Sequence, residues 1–308
     1  VALTLLEAAK LMRGEELRSA IIEIFASQTD ILRAFPFQDI QGNALRYNLE
    51  NTLPGVAFRG VNEGYTESTG VINPQVETLT IAGGDLDVDK FILDTMGMDQ
   101  RSMQEAMKLK ALAHNWSHKV IKGDSTTSPK EFDGLQKRLT GNQLVSMGST
   151  SGGDPLSLSK LDEAIDRVDN ATSLLMSQTM KRRFSVAARS ASVGGYITWD
   201  VEDMGKRVLR YDGLEILVAD GNGDVYDTID QTEAAASGGA TATSIYILSL
   251  GDGMLTGIQN GAPVVRDLGE LETKPVLRTR VEWYSGIAMF HPRAAARLYG
   301  ISAAAIIA

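Results

Sequence analysis

The 308-residue sequence contains no cysteine, so disulfides, thiolate metal sites and cysteine nucleophiles are excluded. Histidine is nearly absent as well, with three residues, which leaves few general bases for catalysis near neutral pH. No apolar run approaches the roughly 20 residues a membrane-crossing helix needs. The first residues, VALTLLEAAKLMRGEELR, lack the basic start and apolar centre of a signal peptide, so neither membrane insertion nor export is expected. Asn115 and Asn170 begin glycosylation triplets that carry no meaning without secretion. There is no GxSxG elbow and no phosphate-binding Walker loop. With 39 acidic against 30 basic residues the net charge is -9, the wrong sign for gripping nucleic acid over the whole surface, so any DNA contact has to be local.

What is present fits an ordinary folded chain. Hydrophobic residues make up 43% and charged residues 22%, and a chain near this length buries about 75% of its unfolded surface. Thr4 and Glu7 have capping-box spacing, so a helix is expected toward Met12, and Leu17, Ala20, Ile21, Ile24 and Phe25 repeat at helical spacing up to Ser27. From Gly42 to Glu50 the period changes to two: Leu45, Tyr47 and Leu49 alternate with Arg46, Asn48 and Glu50, the pattern of a half-buried strand. A second strand is expected from Gln75 to Ala82, with Gly83 and Gly84 as punctuation and Leu86–Leu93 as a further strand. Asp99 opens the strongest helical pattern, ending before Gly123, with Met103, Met107, Leu109, Leu112, Trp116 and Val120 as its apolar side. About 24 residues at 1.5 Å rise give a strut roughly 36 Å long. Helices are expected over Ser157–Asn170 and Ser177–Arg189, then short strands and a long one from Val276 to Phe290.

Between the first two strands lies PGVAFRGVNEGYTESTG, which has neither helical nor strand period. Loops this long in compact proteins are usually functional. Its glycines give backbone freedom, while Val56, Phe58, Val61 and Tyr65 offer apolar area that only another surface can cover. Arg59, Glu63 and Glu67 are candidates for ion pairs across the same contact. Together these seven residues form the expected intersubunit surface.

The other candidates read as structure. His114 and His118 share a helix face but lack a third ligand, so they are ordinary helix-surface histidines. DGNGDVYD, Asp220 to Asp227, starts like a calcium loop, yet Val225 replaces the required glycine and Gln231 the final Glu, so a hairpin turn is the better account. MKRRF, Met180 to Phe184, and the long-helix lysines are solvated basic faces. From Asp39 to Asp94 there are nine acids against Arg46, Arg59 and Lys90, while Asp99 to Arg138 has eight bases against five acids. An acidic arm and a basic strut suggest electrostatic seating of one chain on another. No catalytic site, cofactor or metal is expected.

The order of these parts, with FRGVNEGYTESTG on the arm, FDGL after the long helix and EWYSGIAMFHPRAAARLYGI near the end, resembles the major capsid proteins of tailed bacteriophages, the Hong Kong 97 capsid fold. The resemblance implies an α+β fold divided into an N-terminal helical arm (1–38), an extended loop with flanking strands (39–92), a peripheral domain with a spine helix (93–138), an axial domain (139–273) and a return to the peripheral domain (274–308). It implies a structural protein, not an enzyme, that self-assembles into pentamers and hexamers of an icosahedral shell around double-stranded DNA, which the wall touches weakly and without sequence specificity. The implied partners are further copies of itself, a portal, and a separate scaffolding or decoration protein where one is used. The implied location is the virion capsid, assembled in the host bacterial cytoplasm. Some members crosslink through a lysine on the extended loop, but Asp39 to Asp89 contains no lysine, so no such bond is expected. About 40 residues precede the loop, so no fused scaffolding extension is expected either. Rival readings are an encapsulin-type nanocompartment shell and a soluble carboxylate-dependent hydrolase.

Overall fold

The computed structural model describes residues 3–4, 29–52, 54–96, 99–189, 197–201, 207–219 and 228–307. The helices expected toward Met12 and from Leu17 to Ser27 lie outside the described residues, as does the turn at Asp220 to Asp227.

The chain builds two sheets and a detached ribbon. In the first sheet, β1 (Leu3–Thr4) pairs with β2 (Pro36–Asp39), which follows the short helix α1 (Asp30–Ala34). β3 (Ala44–Thr52) and β4 (Val71–Thr78) pair only with each other, as an antiparallel ribbon. β5 (Thr80–Asp89) then runs into helix α2 (Lys90–Met96) and the long helix α3 (Asp99–Lys122). Helices α4 (Leu135–Arg138), α5 (Leu158–Ile165) and α6 (Gln178–Ala187) intersperse strands β6 (Leu144–Ser146) and β7 (Ser173–Met176). The chain continues through β8 (Ile197–Val201), β9 (Arg207–Tyr211), β10 (Leu214–Val218), β11 (Thr243–Leu248), β12 (Leu255–Gln259), β13 (Val264–Glu270), β14 (Val276–Met289) and β15 (Ala295–Ile301).

Strand β14 organises the first sheet. One edge pairs with β5 along Val276–Ser285, and the other pairs with β13 and then β12, which continues in parallel to β2. Helix α3 seats on this sheet through Leu109, Leu112, Trp116 and Val120, spaced so that all four fall on one face. An aromatic cluster fixes the seat: the Trp116 ring lies 5.3 Å from both Phe37 and Trp283, and 5.7 Å edge-on from Phe35. The expected buried set is corrected at its start, because Met103 and Met107 are more than half exposed. At about 100° per residue Met103 and Met107 fall on the side opposite Leu109 and Trp116, and the inward positions of the first turns are taken by Arg101 and Glu105, which meet Thr279 of β14.

The second sheet has order β6-β15-β11-β7-β10-β9-β8. Its central strands are buried throughout, and side chains alternate between two cores: Leu175, Tyr246 and Leu248 face the α3 side, while Leu174, Met176, Ile245 and Ile247 meet Leu161, Met180 and Phe184 of α5 and α6. Burial on both faces explains why SIYILSL reads as a continuous apolar run rather than an alternation. The sheets exchange strands across the boundary expected at 273/274: β12 and β13 belong with β14, and β15 belongs to the seven-stranded sheet.

Two further expectations give way to long-range pairing. Leu86–Leu93 is not one strand, since β5 ends at Asp89 and α2 begins at Lys90, where the Asp89 carboxylate accepts from the Phe91 amide at 2.8 Å. Gly83 and Gly84 do not mark a turn; they lie inside β5, where a Cβ on Gly83 would collide with the Val281 carbonyl oxygen of β14. Gly83→Ala is therefore expected to lower stability by about 1–3 kcal/mol through overpacking, read as a lower thermal midpoint. An unchanged midpoint would show that β5 can shift freely from β14.

On the exposed face of the same pair, Arg278 binds Asp87 at 2.6 Å and Arg280 binds Asp85 at 2.6 Å. Hydrogen bonds from Arg280 and Arg278 hold the Asp85 and Asp87 carboxyls below the usual carboxylate range. Because their folded values are depressed, this stabilisation is full above about pH 4 and disappears as pH falls through the folded values. The difference in thermal midpoint between the wild type and Arg278→Gln/Arg280→Gln should thus be present at about pH 6 and shrink as the pH is lowered through the depressed values of the two carboxyls. A difference independent of pH would assign the arginines a purely steric role.

Candidate intersubunit interface

Strand alternation sets the two faces of the ribbon. Tyr47 stands opposite Gln75, Leu45 opposite Glu77 and Leu49 opposite Asn73, so these six share a face, and Leu45, Tyr47 and Leu49 are half-buried as their period implies. The opposite face carries Arg46, Asn48, Ile72, Pro74 and Val76, and Ile72 and Val76 are exposed to half or more. Pro74 has no amide to offer, which blunts one edge of the ribbon against indiscriminate strand addition.

A polar clamp ties the ribbon base to the body. Arg138 of α4 grips Glu77 with its two terminal guanidinium nitrogens, the Nη2–Oε2 separation being 2.7 Å, and its Nε donates to the Asp133 carbonyl at 2.7 Å. Tyr47 donates from its hydroxyl to the Met289 carbonyl at 3.0 Å, and its ring meets Phe290 edge-on at 4.8 Å. Burial, reinforced by the Glu77 charge, pushes the Tyr47 hydroxyl up to about 12, so it stays a neutral donor. A 240 Å³ cavity remains beneath the ribbon, between Leu49, Gln75, Gln143 and Pro292. None of this clamp was identified from sequence: Glu77 and Arg138 are 61 positions apart and no local pattern links them.

Beyond the clamp the ribbon runs free. At about 3.4 Å per residue, its longer strand spans about 30 Å. The tip from Pro54 to Gly70 has no regular structure but is ordered by its own polar groups. The Glu63 carboxylate accepts from the Gly60 amide at 2.8 Å, closing a turn in which Asn62 takes a φ of 66°. Arg59 donates to the Glu63 carbonyl at 3.2 Å and lies 5.2 Å from the Tyr65 ring centroid, a cation–π geometry. Ser68 donates to the Gly55 carbonyl at 2.9 Å. The apolar side chains point outward: Val56 is 94% exposed, Phe58 106%, Val61 91% and Tyr65 71%.

The structure thus places all seven sequence-predicted residues on one exposed tip, but it draws Arg59 and Glu63 into the tip's own turn. Glu67 is exposed and forms no ion pair among the described residues. The expected contrast of an acidic arm and a basic strut weakens likewise, because Glu77, Asp85 and Asp87 are paired with arginines of the same chain. Further exposed apolar side chains, missed in the sequence, are Phe91 and Ile92 on α2 and Met103 and Met107 on α3.

The two histidines of α3 are corrected: His114 is buried and His118 partly buried, and desolvation lowers both values, aided at His114 by Lys110 and at His118 by Lys119 and Lys122. Among the described residues no three metal-ligating side chains converge, and no helix is long and apolar enough to cross a membrane.

A family model described as major capsid protein GP7 matches residues 13–157. No curated protein matches the chain. Among solved structures, the holo-SrpI encapsulin complex from Synechococcus elongatus PCC 7942 superposes with a TM-score of 0.65 at 17% identity, over 90% of this chain and 89% of that one. The capsid of a native GTA particle gives 0.63 at 15%, over 89% and 90%, and that of Mycobacterium phage Bobi gives 0.61 at 13%, over 88% and 89%. The chain therefore has the Hong Kong 97 capsid fold, an α+β fold of shell-forming subunits. The match to the major capsid protein GP7 model spans slightly under half of the chain, and the likeness to these structures defines the fold.

Removing Arg138 should release the ribbon. Arg138→Ala leaves Glu77 without its partner, and losing one member of such a pair costs about 3–5 kcal/mol. Amide hydrogen exchange over 44–52 and 71–78 is expected to accelerate while that of β11 stays slow. Unchanged protection of the ribbon would mean that the clamp does not hold it.

Proposed function

We propose that this chain is the major subunit of an icosahedral phage shell, built from its own pentamers and hexamers around double-stranded DNA. In this reading the sheet around β14 and α3 is the peripheral part of each subunit and the seven-stranded sheet the axial part. The virion capsid is the location, assembled in the host cytoplasm with a portal and, where used, a separate scaffolding or decoration protein. The single observation that carries the reading is the tip: four apolar side chains at 71–106% exposure on a segment whose backbone is already ordered.

Such a tip is preorganised for contact, so little ordering entropy opposes docking. Covering one Val or Phe side chain is worth about 1.5–3 kcal/mol, against about 0–1 kcal/mol for an exposed ion pair. Val56, Phe58, Val61 and Tyr65 are accordingly the anchors, and Arg59, Glu63 and Glu67 set orientation. Phe91, Ile92, Met103 and Met107 are further area for neighbouring copies to cover. Closed symmetry repeats every contact once per copy, so modest contacts hold a shell.

The encapsulin-type reading keeps the shell and changes its contents, and the likeness to the Synechococcus elongatus encapsulin complex favours it as the second reading. Electron microscopy of the purified product tests the shell, and mass spectrometry of its contents separates DNA from protein cargo. Phe58→Ala is expected to leave the unassembled chain's thermal midpoint unchanged while reducing particle yield. Particles of normal yield and stability would remove the tip from the interface.

A further inference from the structure

Helix α6 carries a charge pattern that the shell contacts above do not use. From Gln178 to Arg189 the sequence holds Lys181, Arg182, Arg183 and Arg189 and not one acid, in a chain of net charge -9. Met180, Phe184 and Ala187 bury the inner face of the helix against the seven-stranded sheet, and Ser177 caps its start by accepting from the Met180 amide. Arg182 therefore lies on the outward side with Lys181 and Arg183 on its flanks, and Arg189 follows in the turn just past the helix end. Arg182, Arg183 and Arg189 are exposed, and none of the four bases has an ion pair among the described residues; Arg182 donates only to the Thr179 hydroxyl, at 3.0 Å. Of the acids on the companion helix α5 and the turn after it, all but the exposed Asp166 are engaged elsewhere. Asp162 accepts from the Tyr211 hydroxyl at 2.7 Å, Glu163 binds Lys160 and Arg167, and Asp169 binds Arg293 at 3.0 Å.

We propose that the outward face of α6 is the surface through which the shell wall meets nucleic-acid phosphates. Guanidinium groups bind phosphate in a planar, bidentate fashion, and a convex helix stripe without a pocket suits contact with a backbone rather than recognition of bases. A net-negative wall with one short basic stripe per subunit gives contact that is local, weak individually and salt-sensitive. The inference rests on the proposed enclosure of DNA and adds the face of the subunit that points toward it.

The test uses the full-length chain as unassembled subunits and a fluorescent DNA duplex of about 30 base pairs, titrated between about 50 and 200 mM salt. The Lys181→Gln/Arg182→Gln/Arg183→Gln variant is compared with Lys110→Gln/Lys130→Gln/Lys274→Gln, which removes the same charge elsewhere. The α6 variant should lose about tenfold or more in affinity at the lowest salt, and its slope of log affinity against log salt should flatten by about 2–3. The control should keep most of both. Equal losses in the two variants would reduce the effect to net charge and overturn the proposal, as would unchanged binding by the α6 variant or no binding by the wild type. Unchanged binding joined to failed particle formation would instead make α6 a contact between copies. Particle formation by the wild type, imaged separately, reports on the shell reading alone.

Discussion

A two-stranded ribbon has no inside. Each residue of β3 and β4 belongs to one face or the other, and a hairpin of this kind is marginal in water unless something covers a face. Here the body covers one face at the base only, through Tyr47, Glu77 and Arg138. Past that clamp neither face is covered, and the tip ends in apolar side chains presented by a backbone that Glu63 and Ser68 have ordered. The two cores of the body do not depend on this projection. Folding is consequently separable from whatever the ribbon contacts: the aromatic seat of α3 on β14 stabilises the body, and the ribbon contributes only where another surface meets it.

What was legible in the sequence was whatever is encoded locally. The limits of α3 follow from Asp99 and Gly123, and the alternation of Leu45, Tyr47 and Leu49 gives both the strand and its covered face. The tip could be found because Val56, Phe58, Val61 and Tyr65 stand among glycines without any period that would bury them. What was not legible depends on partners distant in the chain. The glycines at 83 and 84 look like a turn until β14 is laid against them, and Met103 and Met107 look buried until the face of α3 that meets the sheet, which carries Arg101 and Glu105 in its first turns, is known. His114 looks like a surface group for the same reason. The clamp left no trace, since a glutamate on a strand and an arginine on a four-residue helix are unremarkable until they meet.

Charge shows the same limit more sharply. Counted along the chain, the region from Asp39 to Asp94 is acidic and that from Asp99 to Arg138 is basic. Counted in space, much of the difference cancels within the subunit, because β5 brings Asp85 and Asp87 to Arg280 and Arg278 of β14. Arg101 is likewise taken up by Glu105 and Asp267. Carboxylates already held by hydrogen bonds are poor candidates for a second partner, since a new contact would have to replace a bidentate one. In the proposed shell, attraction between copies thus falls to apolar area and to the few charges that folding leaves unmatched.

A shell of this fold can hold nucleic acid or protein. An encapsulin and two capsids superpose on this chain almost equally well, at 13–17% identity, so backbone geometry is indifferent to the contents. The residues that maintain the fold are buried ones such as Trp116, Tyr246 and Trp283, and a buried side chain cannot distinguish DNA from a protein cargo. Only side chains on the inner surface of a closed shell can do so. For a polyanion packed against a wall of net negative charge, long-range repulsion keeps the bulk of the polymer away, and attraction survives only where unpaired bases stand within about a Debye length of the phosphates, near 10 Å at 0.1 M salt. The acid-free face of α6 has the unpaired charge that such contact requires, whereas the arginines of the β5–β14 ladder, neutralised by their own aspartates, do not.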